Sequence, residues 1–249
     1  LGPCCDSETL VREYPLATHA FVEAVQCGDI VAVRALLAAA PELVSAARKM
    51  TGESIVLPAV FRRRLDVAVL VAERTELDAF EAAAVGCIPR LVALLETNPA
   101  IVRERMANGW TIAHLAAFAG QSVALRRVLD AGADPNASVR DAMANTPLHL
   151  AVTGVCNPTV IELLVRRGAT PNARAASGIT PLHNAASRGA AQAVEILLRL
   201  GADPASHMDT GQTPAMIASA KNHTIIARRL RDAERRGLLT NTKLGEYAV

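Results

Sequence analysis

Four related phrases recur at near-constant spacing in the second half of this chain, and that recurrence leaves few folds open. They are Thr111-Ile112-Ala113-His114-Leu115-Ala116-Ala117, Thr146-Pro147-Leu148-His149-Leu150-Ala151-Val152, Thr180-Pro181-Leu182-His183-Asn184-Ala185-Ala186, and a weaker copy opening Thr213-Pro214-Ala215-Met216. Their threonines stand 35, 34 and 33 residues apart. A fixed period of this length marks a stacked array in which no unit buries its apolar face without its neighbours. Function in such an array lies on a surface rather than in a cleft.

Each copy has a physical reading. Thr caps a helix N-terminus through its hydroxyl, and Pro follows at the first helical position, where its missing N–H costs nothing. A short apolar helix then ends at Gly120 or Gly189, residues suited to a left-handed cap. Apolar residues at helical spacing, such as Ala193, Val194, Leu197 and Leu198, predict a second helix. Gly132-Ala133-Asp134-Pro135, Gly168-Ala169-Thr170-Pro171 and Gly201-Ala202-Asp203-Pro204 stop that helix and start a turn. The unit is therefore helix, tight turn, helix and extended loop.

These residues resemble the ankyrin-repeat family, whose Gly-x-Thr-Pro-Leu-His-x-Ala-Ala-x-x-Gly pattern and Leu-Leu-x-x-Gly-Ala-Asp-x-Asn ending they follow over 109–204 and more loosely to 236. Upstream, Glu81 to Gly86 aligns with the segment ending at Gly120 at an offset of 34, and Phe21 to Gly28 opens an earlier copy. Between them Ser54 to Glu73 reads as a degenerate repeat with Arg63 where Gly belongs. Arginine in a left-handed cap is strained, so a remodelled turn is expected there. The resemblance implies an all-α ankyrin-repeat solenoid of about seven helix-turn-helix units with short β-turn fingers. Their boundaries are 17–50, 51–76, 77–108, 109–143, 144–177, 178–210 and 211–236, between a lead at 1–16 and a tail at 237–249. Leu1-Gly2-Pro3 in the lead resembles a tag-cleavage remnant.

Composition agrees with stacked small helices, since 51% of residues are hydrophobic and only 3% aromatic. No apolar run approaches a membrane-spanning length. The net charge of +2 is too balanced to suggest nucleic acid, although residues 1–108 carry 11 basic and 14 acidic groups and the remainder 15 and 10. Arginine pairs at 126–127, 166–167, 228–229 and 235–236 hold the basic excess. They read as a solvated face, because no interleaved aromatics supply base stacking. The five cysteines form no C-x-x-C pair, so free thiols in a reducing cytoplasm are expected. Arg outnumbers Lys 23 to 3, which suggests a GC-rich, bacterial genome.

No catalytic constellation emerges. The glycines form neither a Gly-x-Gly-x-x-Gly fingerprint nor a phosphate loop, and the cysteines lack a local His partner. His114, His149 and His183 recur at repeat spacing, yet adjacent helices about 8–10 Å apart hold imidazoles too far apart to share zinc at bonds of about 2 Å. The resemblance instead implies that each histidine hydrogen-bonds backbone groups within and between repeats. No enzyme activity, cofactor or metal is expected.

Recognition remains. In the family that the chain resembles, partners meet the concave face made by finger tips and the outer side of the first helices. The matching positions here include Trp110 and Phe118 around the first motif, Met143 and Asn145 around the second, Ile179 and Arg188 around the third, and Gln212 and Lys221 around the fourth. Phe61 and Arg62 in the degenerate repeat join them. Trp110 is the only tryptophan, a residue type enriched at binding hot spots. One additional residue separates the two helices of the second motif, in Gly154-Val155-Cys156-Asn157-Pro158, and reads as a neutral bulge. The expected function is a monomeric, cytoplasmic, non-enzymatic module that binds a partner protein or peptide. The alternative is a bacterial effector, or an inhibitor blocking a target enzyme, acting through the same face.

Overall fold

The computed structural model describes residues 15–139 and 143–245, with side chains described over 16–139 and 143–236. Cys4 and Cys5 of the lead, and 246–249 of the expected tail, lie outside the described residues. Among the described residues there are fifteen α-helices and no strand, as the repeat reading requires. Contacts divide the chain after Asn98 into two compact units.

The first unit holds α1 (Pro15–Cys27), α2 (Ile30–Ala39), α3 (Leu43–Thr51), α4 (Leu57–Phe61), α5 (Leu65–Ala72), α6 (Ala79–Val85) and α7 (Ile88–Thr97). Helices α1, α4 and α6 pack in succession, and each also packs against its own second helix, α2, α5 or α7. Helix α3 is an addition to the plan, docked on α1 through Leu43, Val44, Ala46 and Ala47. Local capping sets the helix starts. Asp29 accepts from the N–H groups of Val31 and Ala32 at 3.0 Å each, and Asp78 with Glu81 closes a reciprocal capping box on α6. Glu81 thus stands three residues past its cap, as His114 stands past Thr111. The offset between these helix starts is 33, one less than the alignment on Gly86 implies.

The expectation that Arg63 remodels its turn is incorrect. Arg63 adopts φ 60°, its N–H donates to Val60 at 2.8 Å, and the N–H of Arg64 donates to Ala59 at 2.8 Å. At Gly28 the same two bonds run to Val25 and Ala24, at 3.1 and 2.9 Å. A left-handed non-glycine residue costs about 1–2 kcal/mol. Packing of the fully buried Ala59, Val60, Val67 and Ala68 on either side of the turn outweighs that cost at roughly 1–3 kcal/mol per side chain.

The second unit begins with a 3₁₀ turn at Pro99–Arg103 and continues in four helix pairs. They are α8 (Ile112–Phe118) with α9 (Ser122–Asp130), α10 (Pro147–Thr153) with α11 (Pro158–Arg166), α12 (Pro181–Arg188) with α13 (Ala191–Arg199), and α14 (Pro214–Ala220) with α15 (Thr224–Gly245). The first helices stack as α8, α10, α12 and α14, and the second helices as α9, α11, α13 and α15. Leu115, Leu125, Leu148, Ile161, Leu164, Leu182, Leu197 and Leu230 are fully buried between the layers. Helix α15 continues to Gly245, through residues that the sequence assigns to a tail. Its Arg-, Ala- and Glu-rich middle is made of good helix formers, and no Gly-Ala-Asp-Pro stop interrupts it.

Asparagines staple the loops. Asn136 donates Nδ2–H to the Gly168 carbonyl at 2.7 Å and accepts the Thr170 N–H at 2.8 Å. Asn172 repeats this with Gly201 at 3.1 Å and Asp203 at 2.8 Å. On the second helices, ion pairs cross between repeats: Arg167 with Asp130 at 2.5 Å, Arg229 with Glu195 at 2.6 Å, and Arg199 with Glu162. Part of the arginine excess is therefore inter-repeat pairing on a solvated surface.

Candidate functional site

The second unit presents its fingers and the C-terminal ends of its first helices from a framework fixed by three histidines. Thr111 donates its N–H to His114 Nδ1 at 3.1 Å, and Nε2 reaches the Asn145 carbonyl at 3.1 Å. His149 does the same with Thr146 at 3.2 Å and Ile179 at 3.1 Å, and His183 with Thr180 at 3.2 Å and Gln212 at 3.2 Å. An Nδ1 that accepts from a backbone N–H leaves the proton on Nε2, which donates to the following finger. Burial pushes the imidazoles of His114 and His149 down to about 4, and pushes that of His183 down as well. Both ring nitrogens of each residue are engaged, which leaves no lone pair to ligate a metal.

The fingers are joined edge to edge. Ala176 donates its N–H to the Met143 carbonyl at 2.9 Å, and Asp209 donates to Ser177 at 2.9 Å. Arg105 bridges the carbonyls of Gly109 and Ser138 at 2.9 and 2.8 Å. Arg174 bridges the His207 carbonyl and the Asp209 carboxylate, both at 2.9 Å. These arginine braces escape sequence reading, because each reaches a backbone carbonyl of the next loop, that of Ser138 or His207. The Arg174 brace, with Asn172, Asp203 and Asp209, lines an open depression of about 610 Å³.

On this framework the predicted contact residues separate by role. Trp110 and Phe118 are each half-buried and meet edge to face, with ring centroids 5.4 Å apart. Trp110 also lies 6.5 Å from the His114 ring. Met143 is 53% exposed at the neighbouring finger. Asn145 and Ile179 are half-buried and Gln212 exposed, and all three commit their carbonyls to the histidine framework. Arg188 and Lys221 are exposed at the same register of α12 and α14. Phe61 and Arg62 are exposed at the end of α4 in the first unit. Apolar and aromatic side chains thus gather at the α8 end of the second unit, and cations at the α14 end.

Met216 occupies the histidine position of the last motif and is 56% exposed. No further finger follows it among the described residues, so a hydrogen-bonding imidazole there would have no carbonyl to reach.

The additional residue near Gly154 is more than a bulge. Val155 donates its N–H to the Phe118 carbonyl at 2.9 Å, and Asn157 donates Nδ2–H to the Gly120 carbonyl at 2.8 Å. Gly154 is buried, and a Cβ there would stand 2.0 Å from the Phe118 carbonyl oxygen. Cys156, at φ 60°, takes the left-handed position that Gly120 and Gly189 hold in the neighbouring repeats.

Comparison with known proteins agrees with this architecture. A family model described as ankyrin repeats in three copies matches residues 79–175 and 156–237. Human neurogenic locus notch homolog protein 4 is 36% identical over 107 residues, which cover 43% of this chain and 5% of that protein. Mouse ankyrin repeat and SOCS box protein 16 is 35% identical over 118 residues, covering 44% and 25%. The putative E3 ubiquitin-protein ligase XBAT31 of Arabidopsis thaliana is 28% identical over 153 residues, covering 53% and 34%. The chain spans about a third or less of each of these relatives.

Proposed function

The chain belongs to the ankyrin-repeat family, and from that premise we propose that it is a non-enzymatic module binding another protein through the finger face of its second unit. Trp110, Phe118 and Met143 form the apolar anchor, and Arg188 and Lys221 the basic end. Asn145, Ile179 and Gln212 lie between, with their backbones fixed by the histidines. Phe61 and Arg62 provide contact positions on the first unit. The module acts as a cytoplasmic monomer without a cofactor.

The observation that carries this reading is the edge-to-face Trp110–Phe118 pair, with Met143 exposed at the following finger. The second unit fills its core with Leu, Ile, Val and Ala, while the half-buried Trp110 and Phe118 and the exposed Met143 leave apolar surface at the fingers and the end of α8. Aromatic pairs combine large contact area with few rotatable bonds. Truncating such an anchor costs about 2 kcal/mol or more of binding energy. Cations at the opposite end favour a partner segment with an apolar end and an acidic end.

The test is capture of partners from source-cell lysate by the wild type, by Trp110→Ala/Phe118→Ala and by Arg188→Glu/Lys221→Glu, after equal melting temperatures are established. A partner lost with the aromatic pair, and weakened with the reversed cations, supports the reading. A partner retained by both variants moves recognition off this face.

A further inference from the structure

A helix leaves its last carbonyls without intrahelical partners, and the accounting at the end of α8 is unusual. Gln121 and Gly120 donate to the carbonyls of Ala116 and Ala117 at 2.9 and 3.2 Å, as the family's left-handed turn requires. The next acceptors, Phe118 and Gly120, are filled from the following repeat by Val155 and Asn157. At α12 the equivalent turn closes in the same way, Ala190 and Gly189 donating to Ala185 and Ala186 at 3.0 and 3.3 Å. After α10 the chain, with its added residue, reaches back to donate to both carbonyls.

From this geometry we infer that residues 154–157 form a strap that positions Phe118, and through it Trp110. Gly154 and Asn157 are its positioning residues. Gly154 lets the strap lie directly on the Phe118 carbonyl, where a Cβ would stand 2.0 Å from the oxygen. Asn157 divides its side chain between two tasks: Oδ1 caps α11 by accepting the Thr159 N–H at 3.0 Å, while Nδ2 holds Gly120 at 2.8 Å. The strap therefore pins both ends of the Phe118-to-Gly120 segment. The Phe118 ring, carried on that segment, meets the Trp110 ring edge to face at 5.4 Å. Preorganising an aromatic anchor lowers the ordering cost of binding; that consequence rests on the recognition reading above, whereas the positioning does not.

The experiment uses the fluorescence of Trp110, the only tryptophan in the chain. Asn157→Asp keeps the cap acceptor for Thr159 but replaces the donor to Gly120 with a carboxylate oxygen. Gly154→Ala pushes the strap off Phe118. Both, measured while far-UV circular dichroism matches the wild type, are expected to shift Trp110 emission to longer wavelength and increase its quenching by acrylamide. Gly189→Ala, at φ 70° in the turn after α12, perturbs a repeat without touching the strap and is expected to leave the emission in place. Unchanged emission and quenching in folded Asn157→Asp and Gly154→Ala overturn the inference. An equal shift in Gly189→Ala also overturns it, because the signal would then report general loosening. Partner capture plays no part in this readout, so strap and recognition face can fail separately.

Discussion

His149 donates its Nε2–H to the carbonyl of Ile179 at 3.1 Å while its Nδ1 accepts the N–H of Thr146 at 3.2 Å. One imidazole thus closes the cap of its own repeat and holds the finger of the next. In His149→Ala the buried Thr146 loses its partner, and Ile179 keeps only the N–H of Ala175 at 2.7 Å. Leaving buried polar groups unpaired costs about 1–3 kcal/mol each. The variant should lose on the order of 3 kcal/mol in urea denaturation followed by circular dichroism. A loss no larger than that of an average surface substitution, about 0.5 kcal/mol, would contradict this role.

Acid should destabilise the second unit through the same residues. His114 and His149 take up a proton in the folded state only near pH 4, whereas an unfolded histidine does so near about 6.5. Between those values the unfolded chain binds more protons, so falling pH favours unfolding. The contribution is fully present above about pH 6.5 and is lost as pH falls toward about 4. The slope is about 1.4 kcal/mol per pH unit for each residue, and about 2.7 for the two. His183, also lowered by burial, acts in the same direction. Urea midpoints measured across this range should decline with pH, and more shallowly in His114→Gln/His149→Gln.

Arg63 offers a stabilising substitution. Its φ of 60° is a conformation that glycine adopts without penalty. Arg63→Gly should raise stability by about 1 kcal/mol, the left-handed cost less the added freedom of the unfolded glycine. Asn222→Gly, at φ 62°, should gain less, because asparagine tolerates this region. Thermal denaturation of both variants checks the order.

The first unit depends on an ion pair whose acidic partner is buried. Arg48 on α3 reaches Glu81 at 2.8 Å and also donates to Thr75 and to the Glu76 carbonyl at 2.9 and 2.6 Å. Glu81 is fully buried, and its Oε1 has no hydrogen-bond partner among the described residues. Arg48→Ala strands that carboxylate and should cost about 3 kcal/mol or more. Adding Glu81→Gln, which removes the charge and keeps an oxygen for the capping box, should recover part of the loss. Equilibrium unfolding of the single and double variants measures the coupling.

The repeats were legible in the sequence because their signals are local. Thr146 caps the helix that starts beside it, Pro147 occupies the adjacent position, and Gly189 or Asn222 closes a turn within nine residues of its threonine. Glu81 was harder to place. Aspartate replaces threonine as its cap, and glutamate replaces histidine, so the capping chemistry persists while the letters change. Arg63 departs from local propensity at its turn because the packing that overrides that propensity is not local.

The sequence by itself determined the period, the helix pairs of the repeats and the histidine positions. Those features follow from capping, apolar spacing and turn chemistry within one repeat. Only the tertiary structure decided that Trp110 rests on Phe118, that Asn136 staples Gly168, and that Val155 and Asn157 hold the end of α8. Each of the last three contacts joins a side chain or N–H to a backbone carbonyl 32 to 37 residues away. Every residue carries such a carbonyl. Its identity therefore leaves no trace in the sequence, and stacking alone selects which one is met.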